Sequence, residues 1–223
     1  MLIWLIAIIA LLTIGSAIYS VYWAKKRREA MATLAETLQL DYKPGRDGGV
    51  ASRFEFLNKL AKGSNRYASN AISGNYRGHS ILVFDYHYET QSTNSKNHRK
   101  THHHHFSFFI LQMEHSFPEL VISREGFFSK VAQWFGCDDI DFESAEFSKK
   151  FVVRCADKKF AYDICNPQMI DYLLDHQDLQ VEIDKNCLAL FFNHRLSVDS
   201  IHPNLDRLIQ IRDFFPKHVF LDR

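Results

Sequence analysis

Residues 2–23 read LIWLIAIIALLTIGSAIYSVYW and contain no charged side chain. At a rise of about 1.5 Å per residue, a helix of this length is about 33 Å long, which matches a hydrocarbon core of about 30 Å. Aromatic rings favour the headgroup boundary, and they stand near both ends of the stretch: Trp4, Tyr19, Tyr22 and Trp23. The stretch therefore predicts one transmembrane helix, whose partner is the lipid bilayer.

A basic tetrad, Lys25, Lys26, Arg27 and Arg28, follows the apolar stretch, and no Lys or Arg precedes it. Because positive charge next to a membrane span stays in the cytoplasm, the tetrad predicts the topology: the N-terminus outside and the C-terminal body cytoplasmic. A cleaved signal peptide carries its positive charge before the apolar run, so the pattern favours an anchor.

The charge balance bears on the class of partner. The formal charge is +1, of which the tetrad supplies +4, so the rest of the chain carries −3. A nucleic-acid binder normally presents a basic face, so we expect no nucleic-acid partner. The four cysteines have no CxxC spacing, and in the cytoplasm they would be reduced thiols: Cys137, Cys155, Cys165 and Cys187.

The rest of the chain is rich enough in apolar residues, 46% overall, to build a core. We predict a transmembrane anchor at 1–23, a juxtamembrane helix and linker at 24–50, and a cytoplasmic α+β domain at 51–223. In the second region an apolar pattern has helical spacing and predicts a helix that docks on the domain: Met31, Leu34, Ala35 and Leu38.

Two strand-like runs, 79–90 and 102–113, are joined by a polar stretch and predict an antiparallel hairpin. Pairing Thr90 with His102 places three apolar pairs on one face: Leu82 with Ile110, Phe84 with Phe108, and Tyr86 with Phe106. A slip of one residue would set this apolar face against the polar one, so the pattern favours this register.

Further strands and helices are predicted along the chain. They are a helix at 53–61, a strand at 67–76, a helix carrying Phe127, Val131, Trp134 and Phe135, strands at 120–123 and 151–155, a helix from Asn166, a hairpin within 179–193 and a helix at 203–215. Short turns between strands, with helices between groups of strands, indicate an α+β fold with an antiparallel or mixed sheet and helices packed on one face.

The polar face of the predicted hairpin carries the candidate metal ligands His87, Glu89, His103 and His105. Facing pairs on neighbouring strands have Cβ atoms about 5 Å apart, so imidazoles and a carboxylate there can bind zinc or a similar divalent cation. The alternative is a solvated hairpin tip whose histidines titrate near neutral pH.

The segment DFESAEFSKKFVVRCADKKFAYD at 141–163, with PQM at 167–169 and LL at 173–174, contains the cassette ESxEFxxxFxVxxxDxxxAxD. It resembles a family of bacterial membrane-anchored proteins of unknown function, as do NAISGNYRGH at 70–79 and FDYHY at 84–88. The resemblance covers most of residues 53–175. It implies a bacterial inner-membrane location and brings no catalytic residues. Gln168 stands where the family often has Arg.

These observations leave three functional hypotheses. The first is a non-catalytic, membrane-tethered module that binds an unknown protein partner and needs no cofactor. The second is a metal-binding enzyme or sensor built on the His and Glu cluster. The third is a small-molecule or lipid-binding domain with an aromatic pocket near Tyr86, Tyr88 and Trp134. No catalytic motif is present, and the small residues Ser16 and Ser20 leave open a homo-oligomer through the anchor.

Overall fold

The computed structural model describes residues 2–93, 98–124 and 139–221. Its first element is one continuous helix, α1, Leu2–Thr37. The segment Ile6–Thr37 is long and apolar enough to cross a membrane, and the window that qualifies is not buried by the rest of the chain. Met31 and Ala35 are buried near its end. The predicted juxtamembrane helix is therefore the last part of the same helix, and it docks on the domain as expected.

The α+β fold predicted from the sequence is confirmed. Within the described residues, six strands form one sheet whose pairs are all antiparallel, in the order β1-β2-β3-β4-β5, with β6 also paired to β4. The strands are β1 Asp41–Lys43, β2 Ser64–Tyr76, β3 His79–Thr93, β4 Arg99–Arg124, β5 Phe151–Cys155 and β6 Val181–Phe191. Strand β1 lies in the region expected to be a linker, so that region contributes to the sheet.

The β3–β4 hairpin has the predicted register. Thr90 pairs with His102, Tyr86 with Phe106, and the pairing continues to Ser80 and Gln112. Alternate residues face opposite sides, so the even-numbered aromatic residues share one side of the sheet. Strand β4 is longer than the predicted run, because residues 120–123 belong to it and pair with β5.

The predicted hairpin within 179–193 is wrong. Residues 181–191 form the single strand β6, which pairs with β4 from Phe108 to Ile122. The turn-like sequence at Lys185 stays within the strand: Lys185 has φ +52°, and it pairs with Phe117 between two register shifts. Between Gln112 and Leu120, β4 has more residues than the stretch of β6 that pairs with it, so the bulges lie in β4 and β6 continues without a chain reversal.

Both sides of the sheet are covered. The larger core lies beneath the end of α1 and four helices: α3 Ala145–Lys150, α4 Lys158–Ile164, α5 Pro167–Asp175 and α6 Ile201–Asp213. The smaller core, on the other side, packs α2 (Gly48–Arg53) and the turns after it against the aromatic face of the β3–β4 hairpin. The prediction of helices on one face only is therefore wrong. Phe54, Leu57 and Leu60 belong to the second core, and their spacing does not indicate which side of the sheet they cover.

The predicted helix with Phe127, Val131, Trp134 and Phe135 lies outside the described residues, as does Cys137.

Candidate functional site

A histidine and carboxylate cluster lies on the polar side of the β3–β4 hairpin. His87 pairs with His105, and Glu89 pairs with His103, as the register predicted. The side chain of His87 is 5% exposed, that of Glu89 is 20% exposed and that of His103 is 58% exposed. The cluster therefore has one buried ligand, and it opens to solvent at His103.

Three of the four predicted metal ligands converge. His87 Nε2 lies 3.3 Å from His103 Nδ1 and 3.9 Å from Glu89 Oε1, and His103 Nδ1 lies 3.3 Å from Glu89 Oε1. Ligands about 2.0–2.1 Å from a tetrahedral zinc are about 3.3 Å apart, so the spacing fits a zinc ion held by three protein ligands. The fourth position would remain for water or an external ligand.

Asn65 orients two of these ligands, and sequence reasoning did not identify it. Its backbone carbonyl accepts a hydrogen bond from His87 Nδ1 at 3.1 Å, which leaves Nε2 directed at the cluster. Its side-chain amide donates to Glu89 Oε1 at 2.6 Å. Asn65 has φ +48° at an irregularity in β2, a conformation that Asn tolerates better than most residues. Hydrogen bonds of this kind fix the orientation of metal-binding side chains.

His105 is not part of the three-residue group. Its Nδ1 lies 3.3 Å from Arg195 Nη2, and because a guanidinium only donates, this nitrogen accepts and carries no proton. Burial, followed by the charge of Arg195, lowers the pKa of His105. His105 therefore contacts a cation where the sequence predicted a metal ligand.

A buried ion pair lies beside the cluster and joins α1 to the sheet. Arg27 Nε and Nη2 donate to the two oxygens of Asp85 at 2.8 and 2.7 Å, and Nη1 donates to the carbonyl of Leu196 at 2.8 Å. Asp85 is 1% exposed. The sequence assigned Arg27 to membrane topology alone, but its side chain also fixes the helix on the domain.

Further groups satisfy the Asp85 carboxylate. Asn70 Nδ2 donates to it at 2.9 Å, Ser107 Oγ lies at 3.4 Å, and Arg195 Nε lies at 3.5 Å. The other three residues of the basic tetrad are exposed: Lys25 lies 3.8 Å from Glu29, and Lys26 lies 5.0 Å above the ring of Trp23. Asp85 is thus the central acceptor of a polar network between α1, β2, β3 and β4.

The predicted aromatic pocket is filled where the structure describes it. Tyr86 and Tyr88 are buried in the smaller core, and the Tyr86 hydroxyl donates to the carbonyl of Leu60 at 2.7 Å. Trp134 lies outside the described residues. Two thiols are also inert in the core, since burial raises the pKa of Cys165 and raises that of Cys187 to about 11.

The fold and the site define an α+β domain carried on an apolar N-terminal helix. The fold is similar to the crystal structure of the mycobacterial trehalose monomycolate transport factor A, TtfA, with a TM-score of 0.58 and 13% sequence identity over 86% of this chain and 92% of that chain. No family model matches the chain, and no curated protein is similar to it in sequence.

Proposed function

We propose that the chain is a single-pass protein of the bacterial inner membrane, whose cytoplasmic domain serves as a non-catalytic accessory module for a membrane protein complex. The observation that carries this proposal is the continuity of α1, which leaves no flexible joint between the apolar segment and the buried Met31 and Ala35. A domain held in this way has a fixed height and orientation at the bilayer surface.

Two further observations support the proposal. The Arg27–Asp85 pair fixes the helix on the sheet about one turn beyond Trp23, so the domain lies close to the predicted headgroup boundary. TtfA, which has a similar fold, is a transport factor. An accessory role in a membrane complex fits a rigidly presented domain better than catalysis on a soluble substrate, which requires no fixed orientation.

We predict that a reporter fused after Arg223 is cytoplasmic. A C-terminal fluorescent protein should fluoresce in cells, and a C-terminal alkaline phosphatase should be inactive, because the basic tetrad retains the C-terminal side in the cytoplasm. Active phosphatase with a dark fluorescent fusion would reverse the topology and remove the proposal.

The accessory role is tested by inserting a short Gly-Ser segment after Trp23. The anchor and the folded domain remain in this variant, but the rigid connection through α1 is lost. The native chain, purified from detergent-solubilised membranes, should retain a stoichiometric membrane partner that the insertion variant loses. Equal retention by both chains, or no partner with the native chain, would contradict rigid presentation to a complex.

A second candidate function is zinc binding, and the specific observation that favours it is the convergence of His87, Glu89 and His103. The residues would hold the ion through two imidazole nitrogens and one carboxylate oxygen. A bound zinc ion would supply either structural stabilisation or a Lewis acid with one open position. The exposed hairpin then becomes a metal-responsive element on the same domain.

We predict that His103→Ala weakens zinc binding at least about a hundredfold, while His105→Ala leaves it within about threefold. Both side chains are exposed and lie two residues apart on β4, so the pair is a matched comparison. Asn65→Ala should weaken binding by about tenfold to a hundredfold, because it removes the amide that orients Glu89. Competition with a chromophoric chelator measures all three, and equal affinities for the two histidine variants would exclude the site.

A further inference from the structure

A cleft of about 640 Å³ lies between α1 and the domain, just beyond the apolar stretch. Ser20, Ala24 and Arg28 line it from the helix, and Arg46, Tyr67 and Arg195 are among the residues that line it from the domain. Among the residues that the structure describes, neither the proposed zinc ligands nor any acidic side chain lines this cleft. The cleft is therefore a cationic cavity separate from the candidate metal site.

The arginines around the cleft differ in whether their guanidinium groups are already paired with acceptors in the protein. Arg27 also lines the cleft, but its three guanidinium nitrogens are all bonded, to Asp85 and to the carbonyl of Leu196. In the ranges 2–93, 98–124 and 139–221, no carboxylate forms a salt bridge with Arg28 or Arg46. Two exposed guanidinium groups therefore face the cavity with donors to spare.

The domain holds its arginines in place. The guanidinium of Arg46 stacks on the ring of Tyr67 at 4.5 Å, and Tyr67 in turn stacks on the buried His87 at 4.6 Å. Arg195 is held by Asp85 at 3.5 Å and by His105 Nδ1 at 3.3 Å. Planar groups held in this way can donate paired hydrogen bonds to phosphate oxygens with little loss of side-chain entropy.

The depth of the cleft identifies the kind of phosphate. Ser20 and Ala24 stand on either side of Tyr22 and Trp23, whose rings favour the headgroup level, and four residues of helix span about 6 Å. A phosphate beside Ala24 and Arg28 would therefore lie at the height of the lipid phosphates. We infer that the cleft binds the phosphate of an anionic phospholipid from the cytoplasmic leaflet, an inference that rests on the proposed membrane insertion.

The experiment uses the full-length chain in lipid nanodiscs and micelles. Native mass spectrometry would compare the phosphatidylglycerol and phosphatidylcholine molecules that remain bound to the wild type, to Arg28→Ala/Arg46→Ala and to Lys25→Ala/Lys149→Ala. Lys25 and Lys149 are exposed, and neither lines the cleft, so the second variant removes two charges elsewhere. The single variants Arg28→Ala and Arg46→Ala provide a graded comparison, and circular dichroism checks folding.

We expect the wild type to retain phosphatidylglycerol in preference to phosphatidylcholine. The ratio of bound phosphatidylglycerol to bound phosphatidylcholine should fall roughly tenfold in the Arg28/Arg46 variant, and the Lys25/Lys149 variant should keep most of the preference. Equal losses in the two double variants, or none in either, would overturn the inference. Stabilisation of the wild type by inorganic phosphate as strong as that by phosphatidylglycerol would assign the cleft to a soluble phosphate instead, which also overturns it. A chain that inserts into nanodiscs but shows no lipid preference leaves the membrane anchor intact, so the two proposals fail separately.

Discussion

Replacing Asp85 with alanine is expected to lower the free energy of unfolding by about 3–5 kcal/mol. The carboxylate is 1% exposed and accepts two hydrogen bonds from Arg27 and one from Asn70. Removing it leaves the Arg27 guanidinium, whose side chain is only 15% exposed, without its counter-charge. Leaving a buried charge without its partner destabilises the fold by more than the ion pair stabilises it. The loss for Asp85→Ala should therefore exceed the loss for replacing any exposed charged residue of α1.

Urea unfolding of the full chain in detergent, followed by near-ultraviolet circular dichroism, measures this loss. Arg28→Ala is the matched control, since Arg28 is the next residue and is exposed, and it should change the free energy by no more than about 0.5 kcal/mol. The loss in the double variant Arg27→Ala/Asp85→Ala should be smaller, by about 1–3 kcal/mol, than the sum of the losses in the two single variants, because each substitution removes the same contact. Additive losses, or a loss below 1 kcal/mol for Asp85→Ala, would show that the pair does not fix the helix.

The β3–β4 hairpin could be predicted from the sequence because its information is local. The alternation from Leu82 to Tyr88 sets which residues share a face, and only one register matches that face to the apolar residues of β4. That register also gave the facing pairs of the candidate metal site. The contribution of Asn65 could not be found in this way. Asn65 contacts His87 and Glu89 from an irregularity in β2, which no hydrophobic pattern encodes.

Long-range pairings explain what the sequence did not reveal. The partner of Asp85 is Arg27, which lies 58 positions away in the juxtamembrane region and was assigned to membrane topology alone. The error at β6 has a similar origin. Asp184, Lys185 and Asn186 are typical of a turn, and only the pairing of both flanking segments with β4 keeps them within a single strand.

Glu182 on β6 is expected to make stability depend on pH. It is 1% exposed, and one of its oxygens accepts hydrogen bonds from the backbone N–H of Asn58 at 2.6 Å and from the Asn58 amide at 2.9 Å. Burial raises the pKa of Glu182 from 4.5 to about 7, and these hydrogen bonds only partly oppose the shift. The folded state therefore holds a proton on this carboxyl over a range in which the unfolded chain has lost it.

The direction of the effect follows from proton binding. Between pH 4.5 and about 7 the folded state binds more protons at Glu182 than the unfolded state does, so stability falls as pH rises, by about 3 kcal/mol in total, and then levels off. His105, whose pKa is lowered, acts in the opposite direction below its ordinary pKa of 6.5. The wild-type profile alone would mix these two trends.

Glu182→Gln separates them, because glutamine keeps an oxygen for Asn58 and does not titrate. The gap between the unfolding free energies of Glu182→Gln and wild type should grow in favour of the variant by about 3 kcal/mol from pH 4.5 to pH 7.5, while the contribution of His105 cancels. Glu119 accepts from the same Asn58 amide, and its pKa is also raised, chiefly by burial, so Glu119→Gln should shift the gap with the same sign. Parallel profiles for wild type and Glu182→Gln would mean that this carboxyl stays ionised in the folded chain across the range, with solvent reaching it between β6 and the turn at Asn58.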